Sequence, residues 1–112
     1  MIKIEFARGD SYQKGFILKR SGQPVTEVFD DIYFTVKKFC TDHDYLFQKR
    51  MSTGGIVDDG DGHYTLFIEP EDTNELSFGD YDCDIEVKRT GYKRTFQGKL
   101  TLTKETTHIY NE

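Results

Sequence analysis

The sequence predicts an all-β fold, an antiparallel immunoglobulin-like β-sandwich, on three observations. Apolar residues recur with a period of two almost everywhere, which is the strand signal. Nine Phe and seven Tyr are spread along the 112 residues, and aromatic side chains suit a pleated, half-buried surface. Turn-forming clusters of Gly, Asp, Ser, Asn and Pro interrupt these runs at short intervals. Together they give about seven to nine short strands, the pattern of a sandwich, with a small barrel as the second choice.

Each element follows from its own residues. IKIEFA at 2–7 places Ile2, Ile4 and Phe6 on one face and Lys3 and Glu5 on the other. KGFILKR at 14–20 gives a second strand with Phe16 and Leu18 inward, and Ser21-Gly22-Gln23-Pro24 ends it in a turn. DIYFTVKKFC at 31–40 reads as a central strand and YLFQKRM at 45–51 as a shorter one, followed by Ile56-Val57. Asp58-Asp59-Gly60-Asp61-Gly62 connects tightly into HYTLFI at 63–68, which stops before Pro70. A helical turn fits 71–76, with Asp72 as its cap and Glu75 reaching back.

The last third is the most regular. DYDCDIEVK at 80–88 puts Tyr81, Cys83, Ile85 and Val87 on one face and Asp80, Asp82, Asp84 and Glu86 on the other. A hairpin at Arg89-Thr90-Gly91-Tyr92 leads to KRTFQGKLTLT, and setting Arg89 against Tyr92 fixes the whole register. Ile85 then faces Phe96, Tyr81 faces Leu100, Cys83 faces Gly98 and Asp82 faces Lys99. A slip of one residue would lose every one of these pairs. Residues 105–112 are expected to form a last short strand or a free arm of the single domain, 1–112.

Composition narrows function. The formal net charge is −5, from 15 Lys and Arg against 20 Asp and Glu, and the basic residues are scattered, which disfavours a nucleic-acid partner. No stretch approaches the roughly 20 apolar residues of a membrane span, and the N-terminus lacks the blocks of a signal peptide. A product made in the cytoplasm, with no membrane partner, is expected. Cys40 and Cys83, too few for a disulfide scaffold, are expected to be reduced core residues.

Several short stretches suggest chemistry. Asp80, Asp82, Asp84 and Glu86 form an acidic comb that reads either as a calcium- or partner-binding strip or as a solvated outer face with Lys99 and Lys37 as neighbours. The outer-face reading is the expectation, so no metal ligand is assigned. Asp58–Gly62 fails the EF-hand template, because the glycine position falls on Tyr64, and reads as an Asp-Gly turn. Asp42-His43-Asp44 makes no relay, since adjacent side chains diverge. With no nucleophile motif, phosphate loop or zinc spacing, no catalytic residue and no cofactor are expected. Arg8-Gly9-Asp10-Ser11 spells an adhesion tripeptide but reads as the bend between the first two strands, closed by an Asp10 or Ser11 side chain.

The order of turns carries a resemblance. Gly9-Asp10-Ser11 leads into a strand; Gly22-Gln23-Pro24 follows, then Phe34-Thr35-Val36-Lys37, Asp61-Gly62-His63-Tyr64, Asp72-Thr73 with Leu76, and Gly79-Asp80-Tyr81-Asp82-Cys83-Asp84-Ile85, closing with Gly98-Lys99-Leu100-Thr101-Leu102. Over residues 8–103 this order resembles the small immunoglobulin-like sandwich proteins of tailed bacteriophages and prophages, including the N-terminal module of upper baseplate proteins. Members more often carry an aromatic where this chain has Cys83. The resemblance implies a non-enzymatic virion structural or adaptor protein, of tail or baseplate rather than head. It would dock onto itself or onto neighbouring phage structural proteins, through edges such as 45–51 or 105–112. The alternative is a carbohydrate- or calcium-binding module that stacks sugars on Tyr33, Phe39, Tyr45 and Tyr92. A host-encoded domain of another role is the third reading.

Overall fold

The structure is a computed structural model that describes residues 2–104; the strand or arm expected at 105–112 lies outside the described residues. Ten strands and one short helix follow in order: β1 (Ile2–Ala7), β2 (Tyr12–Ile17), β3 (Lys19–Arg20), β4 (Gln23–Pro24), β5 (Asp31–Lys37), β6 (Phe47–Arg50), β7 (Ile56–Gly60), β8 (His63–Ile68), α1 (Pro70–Thr73), β9 (Gly79–Arg89) and β10 (Tyr92–Thr103). A single 3₁₀ turn, Met51–Thr53, joins β6 to β7.

The strands build a sandwich. One sheet has the order β1-β10-β9-β5-β6 and the other β2-β8-β7, while β3 and β4 form a small separate hairpin. Strands β5, β9 and β10 with β6 at the edge correspond to C, F, G and C′ of the immunoglobulin fold, and β2, β8 and β7 to B, E and D. The expected fold class is therefore observed, with one difference. Strand β1 runs parallel to β10, from Ile2 opposite Gly98 to Ala7 opposite Thr103. The turn at 8–11 carries the chain across to the other sheet, so β1 cannot hairpin with β2 and takes the free side of β10 instead.

The alternating side chains fill the space between the sheets. Phe34, Ile32, Val36, Leu66, Ile68, Leu100 and Leu102 are each at most 1% exposed, and Ile4, Phe6, Tyr81, Cys83, Ile85 and Val87 pack around them. The β9–β10 register is the one expected from the sequence: Ile85–Phe96, Tyr81–Leu100, Cys83–Gly98 and Asp82–Lys99 all face each other.

Three expectations are corrected. Strand β5 stops at Lys37, because Asp42 folds the chain back by accepting from the Phe39 N–H at 3.0 Å. Cys40 is thereby exposed, while Cys83 alone is a core cysteine. The helical turn starts earlier than expected, at Pro70, with Glu69 as N-cap. Asp72 is its third residue and accepts from the Glu69 N–H at 2.8 Å, so the capping carboxylate reaches back rather than forward. Finally, the turn at Gly9, where φ is +82°, is closed by backbone and by α1, not by its own side chains. The Asp10 N–H donates to the Ala7 carbonyl at 3.1 Å, and the Gly9 N–H donates to Oγ1 of the fully buried Thr73 at 2.9 Å.

Helix α1 thus acts as a clasp. Besides Thr73, it presents the Asp72 carboxylate to the Lys49 ammonium of β6 at 2.9 Å, both side chains being 16% exposed. Just beyond it, the Leu76 carbonyl accepts from Arg8 at 3.2 Å, and the Arg8 guanidinium lies over the Phe78 ring at 4.3 Å. The Arg-Gly-Asp sequence is a turn, as expected, but one pinned to this clasp.

Candidate functional site

The acidic comb occupies the outer face of β9, at the middle of the five-stranded sheet, flanked by β10 and β5. Alternate residues of a strand are about 7 Å apart, so the carboxylates are distributed along the sheet and each meets a different cross-strand neighbour. The Asp80 carboxylate accepts from Thr101 Oγ1 at 2.7 Å. Asp82 accepts from the Lys99 ammonium and, at 2.7 Å, from the Cys40 N–H. Glu86 pairs with Lys93 at 3.4 Å. Lys37 stands opposite Asp82 in register but gives its ammonium to the Asp42 carbonyl, at 2.8 Å. Among the described residues no three His, Cys, Asp or Glu side chains converge as a metal would require.

The electrostatics of the comb follow from these partners. Hydrogen bonding from Lys99, together with that from Cys40, holds the Asp82 carboxyl below the ordinary carboxylate range. Asp84 differs. It lines a shallow hollow of about 40 Å³ with Thr35, Lys37, Cys40 and Gln97, and partial burial, reinforced by Glu86, pushes its carboxyl up. Burial also pushes the Cys83 thiol up to about 12, which keeps it a protonated core group and not a nucleophile.

The raised pKa of Asp84 makes its charge a cost to the folded state. A carboxyl with a raised folded-state pKa favours the protonated folded chain, so stability is lost as pH rises through that pKa. At neutral pH the Asp84 charge opposes folding. Asp84→Asn is therefore expected to raise the melting temperature slightly, by about 2 °C near pH 7, because solvent screens most of the effect, and to leave it unchanged near pH 3, where both states are protonated. Thermal melts at the two pH values check this, and a rise that is equal at both would show that charge is not the cause.

The other acidic stretches hold local structure. Asp58 Oδ1 accepts from the Gly60 N–H at 2.8 Å and Asp59 Oδ2 from Thr65 Oγ1 at 2.6 Å, across a bulge at 58–60. Asp42 closes the 39–42 turn, as described above, and is thus a structural residue.

The four aromatics proposed as a sugar platform are not gathered. Tyr33 lies on the outer sheet face with the Arg50 and Lys88 cations over its ring, at 4.9 and 5.8 Å. Tyr92 is half-buried at the β9–β10 hairpin, stacked near Phe29 with Arg89 over it. Phe39 and Tyr45 lie beyond the other end of β5, in the 38–46 loop, where they are 58% and 50% exposed beside Leu46 at 44%. Leu46 completes this apolar tip, and nothing in the alternation of the sequence marked it. The loop leads directly into edge strand β6.

One side chain was not singled out from sequence although its signal was there. Tyr81 stands near the start of β9, two residues before Cys83, and its hydroxyl donates to the Ser77 carbonyl at 2.6 Å. This is the tyrosine corner of immunoglobulin-like domains, a Tyr two residues before a Cys at the E–F corner.

Comparison with models of known protein families finds no match, and comparison with curated proteins finds none. Among solved structures, the chain is similar to an endo-β-1,4-mannanase from Thermotoga petrophila, at 14% identity and a TM-score of 0.55. The match covers 91% of this chain and 18% of the mannanase. The chain spans less than a fifth of that enzyme, and the likeness is one of fold alone.

Proposed function

We propose that this chain is a non-enzymatic structural or adaptor protein of a tailed-phage or prophage virion, in the tail or baseplate, that works by docking onto other proteins. The observation that carries the docking reading is the exposure of Phe39, Tyr45 and Leu46, three large apolar side chains of one loop that leads into the sheet edge, each more than two-fifths exposed. Aromatic and aliphatic side chains clustered in water are the anchors that interfaces bury. The virion assignment rests on the resemblance of the turn order to phage sandwich proteins. The outer sheet face suits a structural role, since three of its four carboxylates are taken up by cross-strand or loop partners.

The test is co-purification of the full chain with the products of the genes beside its own, read by size-exclusion chromatography with light scattering, with and without calcium. Capture of a neighbouring structural protein by the wild type, and its loss in Phe39→Ser/Tyr45→Ser at an unchanged melting temperature, supports the proposal. A chain that stays monomeric, binds no neighbour and responds only to calcium or glycans overturns it in favour of the binding module.

A further inference from the structure

We propose that β1 is the self-association edge of this protein and pairs antiparallel with β1 of a second copy about a two-fold axis, joining two five-stranded sheets into one. The inference goes beyond the docking reading above: β1 lies at the opposite edge of the five-stranded sheet from β6 and the 38–46 tip, and its occupant is a second copy of the chain.

The other edges are blunted. In β6, Lys49 stands opposite the buried Phe34, so a charge points inward from a strand of only four residues. In β2, Lys14 stands opposite the buried Leu66 in the same way. Strand β7 carries Asp58 and Asp59 and a bulge. Inward charges, short strands and bulges are among the devices that prevent edge pairing. Strand β1 has none of these three: its six residues direct Ile2, Ile4 and Phe6 inward, and its charges, Lys3 and Glu5, point outward and are opposite in sign. The 45–51 stretch, expected from sequence as one of two docking edges, contains the blunted β6, so self-association is assigned to β1.

The backbone of β1 is set for this. The Arg8 N–H donates to the Thr103 carbonyl, and the Ile2 carbonyl faces Gly98. Even-numbered residues therefore bond to β10. Because backbone groups alternate along a strand, those of Lys3 and Glu5 face the edge that no described strand covers.

Charge then selects one register. With Ile4 opposite Ile4 of the second copy, Lys3 faces Glu5 of that copy on the outer side, and Ile2 faces its Phe6 on the core side. Each Lys3–Glu5 pair exchanges both backbone hydrogen bonds, and the Ile4 Cα atoms stand about 4.5 Å apart as a non-hydrogen-bonded pair. Shifting by two residues sets Lys3 against Lys3 or Glu5 against Glu5, which is unfavourable. Shifting by one sets the core face of one copy against the outer face of the other. Ile2, only half-buried and lining an apolar cleft of about 130 Å³ with Phe16 and Phe96, would be covered. Such an isologous contact closes at two copies.

The test uses the full chain and the variants Lys3→Glu, Glu5→Lys and the double exchange, in size-exclusion chromatography with light scattering over a concentration series. Both side chains are exposed, so circular dichroism melts at a dilution where the wild type is monomeric should be unchanged. The wild type is expected to rise with concentration toward twice 13.1 kDa. Each single reversal should weaken association by about tenfold or more, the double exchange should restore it, and an equimolar mixture of the two single variants should associate. Association that ignores these reversals overturns the assignment to β1 and leaves docking standing. A wild type that is monomeric throughout also overturns it, and overturns the docking reading only if no neighbouring protein is bound.

Discussion

Replacing Asp72 with Ala is expected to lower stability by about 3 kcal/mol and the melting temperature by about 12 °C. Its Oδ2 accepts both the Lys49 ammonium at 2.9 Å and the Glu69 N–H at 2.8 Å. Both ion-pair side chains are largely withdrawn from water, and Lys49 projects from the inner side of β6, opposite Phe34. Truncating the carboxylate leaves an ammonium with no counter-ion at a site where rehydration is restricted, and that residual charge dominates the cost. Loss of the N-terminal capping bond adds about 1 kcal/mol or less. The damage should spread, because α1 also holds the 8–11 turn through Thr73. Two companion variants separate the contributions. Asp72→Asn keeps much of the cap and loses the charge, so it should fall between wild type and Ala. Lys49→Met/Asp72→Asn removes both charges and should recover most of the loss, since an apolar replacement of a buried pair is often neutral. Urea denaturation measures all three, and a loss below about 1 kcal/mol for Asp72→Ala would mark the pair as an ordinary solvated one.

How far the sequence reveals this molecule depends on the range of the interaction concerned. The β9–β10 hairpin was legible in full, because its register follows from one tight turn and a strict alternation from Tyr81 to Val87. The sandwich class was legible from the same period of two. What could not be read are pairings between residues distant in the chain. Nothing local in IKIEFA says that β1 will lie parallel to β10, and nothing local in FQKR says that Lys49 will point inward toward Asp72. Cys40 was misplaced for a related reason: alternation carried on through Lys38 and Phe39 suggests a longer strand, and only the Asp42 side chain bonding back to Phe39 ends it. For the candidate site, Phe39 and Tyr45 were legible as surface aromatics, but on the strands 31–40 and 45–51 and not in the one loop they share. The fate of Tyr33 and Tyr92 was not legible, since their rings are covered by Arg50, Lys88 and Arg20 from other strands. The comb was legible as an outer face, but its individual partners depend on which strand lies on each side.

Gly98→Ala is expected to cost about 2–3 kcal/mol, at the level of an overpacked core, and to act on β1 more than on the rest of the sheet. A Cβ at this position would stand 2.7 Å from both the Cβ and the carbonyl oxygen of Ile2 and 3.2 Å from Cys83 Sγ. The backbone of Gly98 is not in the left-handed region, so the obstacle is space and not φ. The sulfur can give by a few tenths of an ångström. The Ile2 carbonyl cannot, because it belongs to the edge strand that pairs with β10 at this position. Relief therefore requires β1 to move off the sheet at its first residues, while β9 and β10, held by their hairpin, stay paired. Hydrogen exchange should accordingly accelerate at Ile4 and Phe6, whose amides face β10, well beyond the change in the amides that join β9 to β5. The same displacement would misplace Lys3 and Glu5, so self-association through β1 should weaken in Gly98→Ala with its outer charges intact. Equal loss of protection across both sheets would instead mean that the strain is shared through the core, and that β1 has no independent freedom.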